Sequence, residues 1–199
     1  MKLLRGDSEA AARTFEQLRL VYRSLGNAAG EFAAAVLLAE AEHLSGHTQR
    51  AIEIVHEILP ALRSVEDKSL LGNALENLAG YLLATGDSSG AVSVAREAID
   101  ILAEHDSDHV YIGISIEHLA LAYALRGELE RAARQEGFSN ALLERSGFER
   151  EFTETTTHER LMKILREELA PEELARLLAE GAALTSEAAI ALALEDRGT

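Results

Sequence analysis

Residues 84–91 read ATGDSSGA, and the same phrase returns three more times, as LRGDSEAA from Leu4, LSGHTQRA from Leu44 and LRGELERA from Leu125. The glycines of these copies, Gly6, Gly46, Gly86 and Gly127, stand 40, 40 and 41 residues apart, and each is followed five positions later by an alanine: Ala11, Ala51, Ala91 and Ala132. A fixed period of this size implies stacked units, because a single unit cannot bury its own apolar face.

Each unit reads as two helices. Before the glycine, apolar residues recur at helical spacing, as Leu75, Leu78, Ala79 and Leu82 in one copy and Ile116, Leu119, Ala120 and Tyr123 in the next. After it, Ala51, Ile52, Val55, Ile58, Leu59 and Leu62 form a second such face. The glycine between them lets a helix end in a left-handed backbone conformation, and Asp7, Thr48 or Asp87 can cap the helix that follows. The small alanine permits two helices joined by so short a turn to approach closely. GDSSG is one letter from the GDSGG around the nucleophile of trypsin-like proteases. That chemistry needs a strand-rich barrel, a separate histidine and aspartate, and an oxyanion hole. Here Ser88 and Ser89 open a helix and recur as Thr48–Gln49 and Leu129–Glu130. The reading is a scaffold rather than an enzyme, with no cofactor.

The arrangement resembles the tetratricopeptide repeat on Ala79, Gly86–Asp87, Ala91, Ala95 and Ala98. The resemblance implies an all-α fold, a tetratricopeptide-like right-handed superhelix of antiparallel helix pairs. A period of about 40 and roughly ten helices are expected, each helix about one turn longer than usual. HEAT repeats share this period, but glycine plus alanine at the turn and the lack of a mid-helix proline favour the tetratricopeptide form. The third unit departs from the pattern, with Glu136 and Ser139 where Val55 and Ile58 stand in the first, and with Gly137 weakening its second helix. Repeats are expected over residues 1–150, and a helical extension packing on them over 151–199.

Both ends carry further expectations. Only MKLLR precedes the first turn glycine, so the helix that should pair with residues 8–25 is almost wholly missing. Phe15, Leu18, Val21, Tyr22 and Leu25 are spaced for one helical face and are candidates for contact with an upstream domain or a second copy in a homodimer. In the tail, THERLMKILREEL suggests a capping box from Thr156 to Glu159, Pro171 opens a helix that Gly181 closes, and Thr185 caps the last. The tail over 165–195 resembles the C-terminal end of large bacterial regulators. These join a LuxR-type or winged-helix DNA-binding domain, or an adenylate cyclase domain, to an ATPase module and a tetratricopeptide tail. The matching positions are Leu165, Arg166, Leu169, Leu174, Ala179–Glu180–Gly181, Leu184, Glu187 and Ala191–Leu192–Ala193, with Leu178 and Ala182 departing from the pattern. No ATP-binding lysine motif, helix-turn-helix or cyclase metal motif is present, so those activities do not carry over.

The 199 residues hold 34 acidic and 19 basic side chains, a net charge of −15, which repels phosphate backbones and anionic membranes. Nucleic-acid and membrane binding are not expected. The absence of cysteine and the lack of a signal peptide or spanning segment fit a cytoplasmic protein. If the first helices of the units line a concave face, they present Val36, Glu40, His43, Asn73, Glu76, Asn77, Glu117, His118 and Leu121. Helices 29–45, 69–85 and 109–125 contain no Lys or Arg, so a basic or apolar protein or peptide segment is the expected partner. Function is then read as protein–protein interaction, as the sensory or assembly tail of a signalling or transcriptional regulator. The alternative is a small-ligand receptor with a pocket among Asn73, Asn77, His118 and Leu121. His43 with His47, and His105 with His109 inside HDSDH, have metal-like spacing but straddle helix breaks, so no metal is expected. His56 and His158 read as ordinary helix residues, the threonines of TETTTHE (153–159) as a linker plus a cap, and Tyr22, Tyr81, Tyr111 and Tyr123 as packing between helices.

Overall fold

The computed structural model describes residues 7–65, 68–104 and 109–195. They form α1 (Ser8–Ser24), α2 (Ala28–Leu44), α3 (Thr48–Leu62), α4 (Lys68–Thr85), α5 (Ser88–Ala103), α6 (Val110–Ala124), α7 (Leu129–Ser146), α8 (Phe152–Glu168), α9 (Pro171–Ala182) and α10 (Ser186–Leu194). No strand occurs among the described residues, and the chain is all-α. Gly6, His105, Asp106 and Asp108 lie outside them.

The helices stop for local reasons. Gly86 has φ +90°, its N–H donates to the Leu83 carbonyl, and the Asp87 N–H reaches back to the Leu82 carbonyl at 2.9 Å. This is the left-handed glycine cap, which satisfies carbonyls that the ending helix would otherwise leave bare. The same pair of bonds recurs at Gly46 and Gly127, and also at Gly26 and Gly147, which lie outside the repeated phrase. The Asp87 carboxylate then accepts from the Gly90 N–H at 2.8 Å and starts α5. Ala51, Ala91 and Ala132, one turn further on, are buried, as the close approach of paired helices demands.

Several caps differ from expectation. Asp7 makes no side-chain cap bond, and His47 rather than Thr48 holds the N-cap position of α3. Thr48 Oγ1 lies 3.0 Å from His43 Nδ1 instead. The box opening α8 is Glu151 with Glu154, whose carboxylate accepts from the Glu151 N–H at 2.8 Å. TETTTHE is therefore helix rather than linker, and the Thr156 hydroxyl bonds to the Phe152 carbonyl one turn back. Thr185 does cap α10.

Each helix from α1 to α7 packs on its successor, and α2, α4 and α6 also touch in turn. Buried Ala, Leu, Ile and Val side chains join into one continuous apolar core from Ala12 to Ala193. The extension folds back onto this stack: α8 lies across α4 and α6, α9 lies on α7, and α10 meets α5, α6 and α7. Gly137 and Gly181 make the α7–α9 crossing possible. A Cβ at Gly137 would run into the Leu178 backbone carbonyl, and one at Gly181 into that of Arg134. Gly181 is thus a contact point inside α9 rather than its terminator, and Gly137 permits a close crossing. Buried Arg131 stacks on the Tyr123 ring at 3.9 Å and donates to the Leu192 and Glu195 carbonyls at 2.9 Å each, closing the C-terminus of α10. Among the described residues no single helix is long and apolar enough to cross a membrane.

Candidate functional site

The residues expected on an open face are largely covered. Glu76, Asn77, Glu117, His118, Leu121 and Val36 are buried, while Glu40, His43 and Asn73 are half-buried. The cover is α8. The Thr153 methyl fills the space left by the missing Cβ of Gly80, the Arg160 guanidinium donates to the Leu83 carbonyl at 3.1 Å, and the Phe152 ring stands 6.2 Å from the His43 ring. The expectation of a groove open to a peptide along α4 and α6 is therefore corrected: the chain's own helix fills it.

Beneath α8 two polar groups of side chains meet. In the first, Arg150 Nε–H donates to Glu117 Oε1 at 2.8 Å, and His158 Nδ1 sits 2.7 Å from Glu136 Oε1 and 3.4 Å from Glu117 Oε1. The Asn140 amide also donates to Glu136 at 2.7 Å. His158 is pushed up to about 9 by its contacts with Glu117 and Glu136, and is cationic near neutrality. Burial pushes Glu117 upward, but His158 and Arg150 outweigh it and hold the carboxyl below its ordinary value. Glu136 rises to about 7 through burial and the nearby Glu117 charge, against the pull of His158 and Arg150.

Ligand-type atoms of Glu117, Glu136 and His158 lie within 4.8 Å of one another, a composition that divalent metals accept. Arg150 already neutralises Glu117, and a metal would meet both this guanidinium and the proton of His158. We assign the trio as an ion-pair network. Glu136 was a visible departure from the repeat pattern, and His158 and Arg150 were its unrecognised partners.

The second group surrounds a chamber of about 200 Å³ lined by Glu40, Asn73, Glu76, Asn77, Tyr111, Phe148, Glu151 and Glu154, among others. His118 Nε2 lies 3.1 Å from Glu76 Oε1. Burial, then the Glu117 and Glu151 charges, push Glu76 up to about 8, while burial holds His118 below its ordinary value. Near pH 7 this is a hydrogen bond between a neutral acid and a neutral imidazole. Glu40 rises to about 7 through burial, then through repulsion by and hydrogen bonding with Glu151. Burial and Glu76 raise Glu154 to about 7. Asn73 and Asn77 do share a pocket wall, but His118 and Leu121 do not line it.

On α1, Phe15 and Tyr22 are half-buried, whereas Leu18, Val21 and Leu25 are 37%, 51% and 71% exposed. In glycine register, Leu18 corresponds to Ile58, Ala98 and Ser139, all buried, and Tyr22 to Leu62, Leu102 and Leu143, also buried. Among the described residues the difference has a simple origin: α3 and α5 each pack on a helix before and a helix after, whereas α1 packs on α2 and reaches α3 through the ion pairs of Arg19 and Arg23 with Glu57. Fold and site together define an all-α protein of serially packed helices closed by its own C-terminal segment. Comparison with protein-family models, curated proteins and solved structures finds no match to this chain.

Proposed function

We propose that the chain is a non-catalytic tetratricopeptide-like scaffold for protein–protein contact, serving as the sensory or assembly tail of a signalling regulator. The observation that carries this reading is the face of α1: Leu18 is exposed at a position that is buried in each later copy of the unit. An unpaired edge of a stacked array is where another helix adds, and the apolar side chains supply the driving force. With the α4–α6 face covered by α8, the edge replaces the concave surface as the expected contact. A photo-crosslinking residue at Val21 is expected to yield a defined protein adduct in cells, lost in Leu18→Asp. The same residue at Glu130, an exposed position on α7, serves as control. Equal labelling at both positions, or none at Val21, overturns the reading.

A second reading, a receptor for a small ligand, is favoured by the chamber. Its volume and four glutamates select a compact cation, with Tyr111 and Phe148 supplying aromatic surface. Titration calorimetry with a short diamine is expected to give saturable heat that disappears in Glu40→Gln; no heat removes this reading.

A further inference from the structure

The contact between α8 and the stack is unlike the others. Paired helices from α1 to α7 meet mainly through Ala, Leu, Ile and Val, whereas the first half of α8 places Thr153, Glu154, Thr157 and His158 against Glu76, Glu117, His118 and Glu136. The first half adds the Thr153 methyl on Gly80, while the larger apolar anchors, Leu161, Met162 and Leu165, all lie in the second half. A polar contact returns much of its energy when water replaces it, and an apolar one does not. The two halves of α8 are therefore held with different strength.

Charge decides when the first half is held. Closing gathers Glu40 from α2, Glu76 from α4, Glu117 from α6 and Glu136 from α7 around Glu151 and Glu154. Facing these six carboxyl groups are two cations, Arg150 and His158. Of the other charged or titratable groups at the contact, His118 is buried and neutral, the Tyr81 and Tyr111 phenols are pushed above their ordinary value by burial and stay neutral, His43 lies beside Phe152, Arg160 is bound to the Leu83 carbonyl, and Arg166 faces α9. Glu117 is matched by Arg150 and Glu136 by His158, and Glu151 is exposed, so Glu40, Glu76 and Glu154 are left without a counter-charge in a largely dehydrated space, which closure relieves by taking up protons.

We propose that the first half of α8, from Phe152 to His158, is a proton-controlled latch on the α4–α6 face, closed while Glu40, Glu76 and Glu154 at this contact hold protons and lifting when they ionise. Lifting bares Gly80, Leu83 and Leu121, which line the crevice beneath Thr153 and Thr157, and returns Glu40, Glu76 and Glu154 to water. The second half of α8 stays seated and acts as the hinge. The raised values of Glu40, Glu76 and Glu154 agree with this direction, and so does that of His158, whose charge helps hold the latch until it is lost at alkaline pH. The inference stands apart from docking at α1, since the two involve different helices and either can fail alone.

Hydrogen–deuterium exchange tests it on the whole chain. After correction for the chemical exchange rate, protection of Phe152–His158 is expected to fall about tenfold or more between about pH 6.5 and about pH 9, relative to α3 and α5. The Glu76→Gln/Glu154→Gln variant, which keeps the shape without the titration, is expected to hold its protection. If that pair fails to fold, Glu40→Gln alone is expected to reduce the loss. Protection that tracks α3 and α5 at both pH values, or a loss that persists in the amide variants, would overturn the latch.

Discussion

At the scale of single residues, glycine serves this chain in two physically different ways. Gly86 is needed for its backbone angle: φ is +90° and a Cβ there meets nothing within 4 Å. Gly137 has ordinary helical geometry and is needed for space, since a Cβ would strike the α9 backbone. The two substitutions should therefore differ in cost. Gly86→Ala is expected to lose about 1 kcal/mol through left-handed strain, and Gly137→Ala about 2–4 kcal/mol, because a helix backbone must move. Urea unfolding of both variants measures this, and equal losses would contradict the assignment. The first kind of glycine was legible from the repeated phrase. The second was not, because Gly137 looks like a helix weakener until α9 is seen lying across it.

At the scale of elements, the same hairpin grammar produces helices with different fates. The second helices of the units share a register, yet α3 and α5 are clasped on both sides and α1 on one. Among the described residues Leu18 lacks a packing neighbour, and no feature of its own helix is needed to explain its exposure. The α8 helix shows the opposite case. Its first turns, rich in threonine, carry little helical face and read as a linker plus a cap when taken alone, while the helical face of Leu161, Met162 and Leu165 follows them. What makes it a structural element is its partner surface. Glu76, Glu117, His118 and Glu136 stand at buried positions of α4, α6 and α7, and α8 and the preceding turn return Arg150, His158 and hydroxyl groups to them. Polar residues at core positions of a repeat were the sign of a further element, and charge matching was the clue to which one.

At the scale of the whole molecule, buried ionisable groups tie stability to pH. Glu76 is raised to about 8 and Glu40, Glu136 and Glu154 to about 7. A carboxyl with a raised folded value contributes its stability fully below its unfolded value and loses it as pH rises through the folded one. His158, raised to about 9, likewise supports the fold below its unfolded value and loses that support as pH climbs through the folded one. His43 and His118 are lowered by burial, so they penalise the fold only as pH falls below their ordinary range. Glu117, held low, matters only at still lower pH. The terms that act between about pH 6.5 and about pH 9 thus share one sign. The urea midpoint is expected to fall steadily across that interval, and a flat or rising midpoint would show that the buried glutamates are not protonated in the folded chain.

What the amino-acid order determined by itself is whatever a few neighbouring residues can enforce: the helices, the glycine turns between them, the Asp87 and Thr185 caps, and the period of the units. These follow from backbone sterics and from hydrogen bonds that close within one turn. Only the tertiary structure decided that α8 lies over α4 and α6, that Gly137 and Gly181 meet the neighbouring backbone, and that Glu117 and Glu136 share His158. Those outcomes join residues far apart in the chain. They depend on which buried charge finds a counter-charge and which missing Cβ admits another helix, and neither can be read from spacing along a single helix.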